Sequence, residues 1–406
     1  MNKSKILTAE SVTEGHPDKL CDLIGDRVLD ECLRNDPNAR VACEVMATAG
    51  KIIVAGEITA KDIPDIPHIV CGTVRDIGYG CDYEVEVITH DQSSDISNAV
   101  DGCSGNGVCG TCDHTVDDVS RELGAGDQGI MYGYADCETD EFLPLPVVLA
   151  HGITLRLTEA RKTGLIKGLR PDGKAQVSVE YRYGIPYRLS AVVVSCQHDE
   201  DKDIGKLREE IMEHVLKPAM VEMPIDNDTE VLINPSGWFV QGGFEADTGL
   251  TGRKIMVDTY GGLAPHGGGA LSGKDCTKVD RSGAYMARYI AKNIVAAGLA
   301  ARCTVSLAYA IGKAEPVAVD VDTHSTGEYD DEVIAEAIKA VFDLRPGAII
   351  RTLGLDQPIF TKSTNYGHFS KGDLPWERLD KMDALDEACE IIEEELFYMR
   401  KEGVLK

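Results

Sequence analysis

The sequence predicts an α+β protein built from three similar domains. Three observations lead there. One order of elements (helix, hairpin, helix, strand) reads three times along the chain. The 406 residues exceed a single domain of about 150 and point to two or three. Hydrophobic content of 43% with 27% charged residues is ordinary for a folded chain and excludes disorder over most of the length.

The first unit opens on a helix from Asp18, where Leu20, Ile24, Val28 and Cys32 recur every fourth residue on one face. Asn35, Asp36 and Pro37 end it. Strands over 40–46 and 51–58 flank a turn at Ala49 and Gly50. A helix over 66–77 follows, then a strand over 83–89 in which Val85 and Val87 alternate with acids. The second unit has a helix over 146–162 ended by Gly164. Its hairpin pairs 176–183 with 187–196 around Gly184. A helix over 202–216 stops before Pro218, and a short strand covers 230–233. The third unit has a helix over 280–297 ended by Gly298, a hairpin of 302–311 and 317–322, a helix over 330–343 and a strand over 348–352. Each unit carries one amphipathic strand set, so three sheets around a common axis are expected. A last helix over 379–400 places Met382, Leu385, Cys389, Ile392 and Leu396 three or four apart, with acids on its other face.

Charge narrows the function classes. Lys and Arg number 41 against 68 Asp and Glu, a net −27. Such a chain is not expected to coat nucleic acid or an anionic membrane surface. No stretch reaches the roughly 20 apolar residues of a membrane span, and the N-terminus has no apolar run suited to a signal peptide. A cytoplasmic protein with reduced thiols is expected. The 13 cysteines are irregularly spaced, and most read as small core hydrophobes.

The chemistry-bearing text lies between the regular elements. Residues 13–19 read TEGHPDK and sit just before the first helix. Asp18 suits an N-cap there, while His16 and Lys19 suit a phosphate and its metal at a helix N-terminus. Residues 124–129, GAGDQG, form a tight glycine turn with one acid and one amide. Residues 268–274 fit G-x-x-x-x-G-K, but Asp275 stands where a P-loop needs Ser or Thr, and no clear strand leads in. Backbone N–H groups of such a loop can still cradle phosphate. From 253 to 281, Arg253, Lys254, Lys274, Lys278 and Arg281 face only three Asp. This strip is locally +2 inside an acidic chain. Asp280 among these bases is a candidate Mg²⁺ ligand, since hard oxygens complete Mg²⁺ sites with substrate phosphates. Cys103, Cys109, Cys112 and His114 crowd into a glycine-rich stretch. A zinc knuckle or a redox pair is one reading, and a solvated mobile loop the other.

Together, TEGHPDK at 13–19, GAGDQG at 124–129 and GGGALSGKDCTKVDRS at 267–282 resemble the S-adenosylmethionine synthetase family. Matches at 42–44, 56–59, 169–172, 249–262 and 366–369 extend the resemblance over nearly the whole chain. It implies three interleaved α+β domains with pseudo-threefold symmetry, at 1–100, 122–240 and 242–406, with 101–121 as a variable active-site lid loop. It also implies a homodimer or homotetramer with active sites between subunits. The implied reaction joins ATP and L-methionine into S-adenosylmethionine and then hydrolyses the triphosphate to pyrophosphate and phosphate. Mg²⁺, two per site, and K⁺ are the implied cofactors.

By the same resemblance, His16, Lys278, Lys274 and Arg253 act on the reacting groups. ATP is held by His16, Asp172, Lys174, Trp238, Phe239, Asp247, Arg253, Lys254, Ala270 and Lys274. Methionine is held by Glu57, Gln92, Asp247 and Lys278. Asp18 and Asp280 hold Mg²⁺, and Glu44 holds K⁺. Trp238 stands where the family usually has Arg, Leu271 for a usual Phe, Cys276 for a usual Pro and Lys313 for a usual Val. The Trp238 change puts one polyphosphate contact in question. A methionine-independent polyphosphate hydrolase would not need Glu57 and Gln92. A non-catalytic regulatory subunit would not need His16, Asp18, Lys274 and Lys278.

Overall fold

The computed structural model describes residues 4–94, 100 and 123–401. The first stretch holds β1 (Ser4–Val12), α1 (Pro17–Asn35), β2 (Arg40–Thr48), β3 (Lys51–Thr59), α2 (Ile66–Ile77) and β4 (Glu84–His90). The second holds β5 (Gly129–Asp136), α3 (Leu145–Lys162), β6 (Leu169–Arg182), β7 (Ile185–His198), α4 (Ile204–Ile211) and β8 (Glu230–Ile233). The third holds β9 (Gly249–Leu250), α5 (Ile255–Asp258), α6 (Val279–Ala296), β10 (Arg302–Tyr309), β11 (Ala318–Asp322), α7 (Asp331–Val341), α8 (Pro346–Leu353) and α9 (Met382–Lys401).

Among the described residues, three sheets form, ordered β4-β3-β2-β9, β1-β6-β7-β8 and β11-β10-β5. Each is centred on a predicted antiparallel hairpin: β2 with β3, β6 with β7, β10 with β11. In the first two, the strand after the next helix joins in parallel, β4 on β3 and β8 on β7. Each sheet also takes one antiparallel strand from another part of the chain. β1 pairs with β6 (Leu7 opposite Val179), β5 with β10 (Met131 opposite Leu307), and β9 with β2 (Leu250 opposite Met46). These three strands lie outside the predicted elements. Their partners are distant in sequence, so no local turn announces them.

The predicted strand at 348–352 is corrected: it lies inside helix α8. Its β-branched Ile-Ile run suits a strand, but the ends decide otherwise. Pro346 occupies the first turn, and Gly354 closes the last with φ 59°. Buried Ala348, Ile349 and Leu353 keep helical spacing. Among the described residues, the third sheet therefore has three strands. The helix predicted to stop before Pro218 instead runs on to Ala219. A π-turn at Met212–Leu216 precedes it, and this wider turn accommodates the residue without an N–H.

One hydrophobic core joins the first and third units and takes in Met131, Tyr134 and Ala135 of β5, while the rest of the second unit has its own. Leu20, Ile24, Val28 and Cys32 of α1 are buried in the shared core as their spacing predicts. A second row on the same helix escaped that reading. Asp18, Asp22, Asp26 and Asp30, again four apart, are all buried. Each grips backbone of the third unit. Asp18 accepts from Leu250 N (3.0 Å), Asp22 from Gly252 N (2.8 Å), Asp26 from Gly273 N (2.8 Å) and Asp30 from Phe360 N (3.0 Å). Charge-assisted bonds of this kind are worth roughly twice neutral ones. They seat the loops that carry the candidate site.

Candidate active site

Two groups of the expected residues assemble. The first stands at the N-terminus of α1. His16 is the N-cap, and its Nδ1 accepts from the Asp18 backbone N–H at 3.2 Å. An amide can only donate, so Nδ1 is unprotonated and Nε2–H is the ring's donor. Burial, with the nearby Lys254 and Lys174 cations, pulls the His16 pKa down to about 3. The ring is therefore neutral at physiological pH. Asp18 is not the N-cap. Its Oδ2 accepts from Lys254 Nζ at 2.6 Å, and Arg253 Nε lies 3.5 Å from Oδ1. Burial works against ionisation of Asp18, but Lys254 and the Leu250 N–H outweigh it and lower its pKa.

Strand β6 brings Asp172 and Lys174 to this group, because Lys174 lies opposite Val12 across the β1–β6 pair. Asp172 is buried and accepts from Gly243 N at 2.9 Å. Its pKa is pushed up to about 6, chiefly by burial. Lys174 is exposed. Lys19 is corrected: it offers nothing to a phosphate. Its Nζ is buried between Asp258 Oδ1 (2.6 Å) and Asp22 Oδ2 (3.1 Å).

The second group surrounds the start of α6. Lys274 Nζ meets Asp280 Oδ2 at 2.6 Å, and Lys278 Nζ meets Asp275 Oδ2 at 2.5 Å. Ala42 of β2 bridges Lys274 on one side and pairs with Glu57 of β3 on the other. Glu44, two residues along β2, projects from the same face. The two glycine motifs converge here. Gly126 N–H donates to Thr277 O, and Gly269 packs so tightly on Asp280 that a Cβ would lie 2.2 Å from its Oδ1. Only glycine allows that approach. The basic strip is less free than its sequence suggests. Arg281 turns inward and forks onto Asp26 at 2.6 and 3.0 Å.

The other expected residues lie apart from these ion pairs. Trp238 is 63% exposed and tilts over His198, with ring centroids 5.7 Å apart. Phe239 donates its N–H to His198 Nε2 at 3.1 Å. Asp247 is exposed and accepts from Thr248 N at 2.8 Å. Ala270 packs against Gly252. Gln92 is half-buried, with its N–H on Thr59 Oγ1 at 2.9 Å. The lid at 101–121, with Cys103, Cys109, Cys112 and His114, lies outside the described residues.

Among the described residues, no three His, Cys, Asp or Glu gather into a metal cage, and no helix is long and apolar enough to cross a membrane. Seven of the eight free cysteines described are buried, as expected of core filler. Against the expectation of reduced thiols, Cys71 and Cys81 are bonded to each other.

Comparison with known proteins decides the family. Residues 4–104, 122–239 and 241–378 match the N-terminal, central and C-terminal domains of S-adenosylmethionine synthetase. The chain belongs to the S-adenosylmethionine synthetase family. An S-adenosylmethionine synthase from Desulforudis audaxviator is 52% identical over 390 residues, 94% of this chain and 97% of that protein. One from Staphylococcus epidermidis is 49% identical over 402 residues, 95% of this chain and 98% of its own length. The synthetase family's three-domain α+β architecture is thus present throughout. Sequence reading missed the residues that hold the site from behind: Asp22, Asp26, Asp258 and Asp275. A four-residue period of Asp along α1 was the available signal.

Proposed function

We propose that this chain is a methionine adenosyltransferase, joining ATP and L-methionine. The observation that carries the reading is the pair of half-sites, His16–Asp18–Lys254 and Lys274–Lys278–Asp280, in a chain about half identical to named synthases end to end. A thioether has no proton to lose, so the first step needs no base. The sulfur lone pair forms the bond to C5′ while the C5′–O5′ pair leaves with the triphosphate. Alignment and charge stabilisation set that barrier. The neutral His16 donates from Nε2 to the departing oxygen or its phosphate. Arg253, Lys254, Lys274 and Lys278 neutralise the polyphosphate, exchanging their carboxylate partners for it. Water then cleaves the triphosphate to pyrophosphate and phosphate.

Asp172, Lys174, Trp238, Phe239, Asp247 and Ala270 complete the ATP contacts, and Glu57, Gln92, Asp247 and Lys278 the methionine contacts. Carboxylates standing singly against lysines suit Mg²⁺, which takes one or two protein oxygens and completes its shell with phosphates and water. Asp18 and Asp280 would each hold one, and Glu44 would hold K⁺. When bound, these cations neutralise charge on the triphosphate. A cytoplasmic location is part of the same reading.

The outward face of sheet β4-β3-β2-β9 supports a homodimer, with homotetramer as its further assembly. Met46, Leu250 and Ile88 are 45%, 38% and 54% exposed there, and Glu44 and Glu57 share the face. Burying it against a second copy puts each active site at the subunit boundary. The equivalent strand orders of the sheets support pseudo-threefold symmetry among domains at 1–100, 122–240 and 242–406.

The test is product analysis of purified protein given ATP and Mg²⁺ with and without methionine. S-adenosylmethionine forms only with methionine; dominant methionine-independent ATP turnover would overturn the reading. Lys278→Ala is expected to lower the rate of S-adenosylmethionine formation by about 10²-fold or more with an unchanged circular dichroism spectrum. An unchanged rate removes Lys278 from the site.

A further inference from the structure

The turn after α2 reaches both loops of the first half-site. Gly78 ends α2 in the left-handed conformation, and Tyr79 follows it. The Tyr79 hydroxyl donates to Gly15 O at 2.9 Å, next to His16. Gly243, whose N–H holds Asp172, lies so close to the Tyr79 ring that a Cβ would come within 2.8 Å of it. Tyr83 adds an edge-to-face contact with Phe244, centroids 5.7 Å apart. The turn itself is tied back to the helix. Cys71 on α2 and Cys81 beyond the turn are disulfide-bonded, ten residues apart with Cα atoms at 5.5 Å. Neither cysteine is fully buried, whereas all but one of the free cysteines described are. A thiol or disulfide reagent therefore meets this pair before the core thiols.

We propose that Tyr79 is a positioning residue for His16 and Asp172, and that the Cys71–Cys81 bond is a redox latch on the turn that carries it. Reduction by a dithiol splits the S–S bond. The two sulfurs take two electrons and two protons, and the dithiol closes to its own disulfide. The turn is then free to move off Gly15 and Gly243. Re-oxidation by a small-molecule disulfide reverses the exchange. The inference rests on the adenosyltransferase reading for its activity measurements only.

The experiment uses the full chain, oxidised or reduced with dithiothreitol, with thiol counts by mass spectrometry confirming each state. Reduction is expected to lower kcat and raise KM for ATP by about threefold each, the scale of one lost hydrogen bond. KM for methionine stays unchanged, because Glu57 pairs with Ala42, which bridges Lys274 in the other half-site. Tyr79→Phe shows the same split and no further response to reductant, and Cys71→Ser/Cys81→Ser behaves as the reduced protein. Amide hydrogen exchange over residues 13–18 rises in all three. Confirmed reduction with unchanged kinetics and exchange overturns the latch, as does a Cys71→Ser/Cys81→Ser variant that still responds to dithiothreitol. Kinetics and exchange unchanged in Tyr79→Phe overturn its positioning role. If the parent protein makes no product, the activity reading fails, and the exchange measurement still decides the latch.

Discussion

His16 shows how a backbone fixes the chemistry of one side chain. The Asp18 N–H dictates the tautomer, and burial between cations keeps the ring neutral. The sign of its pH effect follows. Between about 3 and the ordinary value of 6.5, the unfolded chain takes up a proton that the folded chain refuses. His16 therefore lowers stability as pH falls through that window and has no such effect above 6.5. In a proton NMR titration, the His16 ring resonances are expected to stay constant from pH 8 to pH 5 (values about an imidazole's ordinary range). A midpoint near the free value would contradict this environment. The crowding around His16 and Asp18 was legible because an acid, an imidazole, a carboxylate and an ammonium share six positions of one motif. The inward turn of Lys19 and Arg281 was not. Lys19 pairs with Asp258 and Arg281 with Asp26, both more than two hundred positions away.

At the scale of elements, α1 is the piece on which the site hangs. One face packs apolar residues and another presents four buried carboxylates to the third unit. The Asp26–Arg281 fork is a two-bonded join with both side chains fully buried. Asp26→Ala leaves a buried guanidinium uncompensated and is expected to destabilise the protein by about 3–5 kcal/mol. The urea midpoint reads this directly; a midpoint within error of the parent protein would show that the Asp26 carboxylate is not what holds the Arg281 charge. Helices and hairpins with local caps and turns were legible in the sequence. The 348–352 run misled because its Ile-Ile text is strand-like while its decisive signals, Pro346 and Gly354, flank it.

Across the whole molecule, strand exchange binds the three units into one body. β1, β5 and β9 each complete a sheet centred on another unit's hairpin, so the units are not expected to unfold independently. The exposed Met46, Ile88 and Leu250 face belongs to this scale too. On the proposed dimer, in which each site lies at the subunit boundary, Met46→Arg with Ile88→Asp is expected to halve the mass measured by light scattering and to abolish S-adenosylmethionine formation. A variant that stays dimeric moves the interface elsewhere. By itself, the sequence determined the three-unit order, the hairpins, the acidic balance and the motifs that carry the chemistry, because turns, caps and clustered functional groups are local. Only the tertiary structure decided which carboxylate meets which cation, which strands cross between units, and that Cys71 meets Cys81. The crossing strands and the Lys19–Asp258 and Arg281–Asp26 pairs depend on long-range closure, and the short-range pairs depend on where the folded backbone points each side chain.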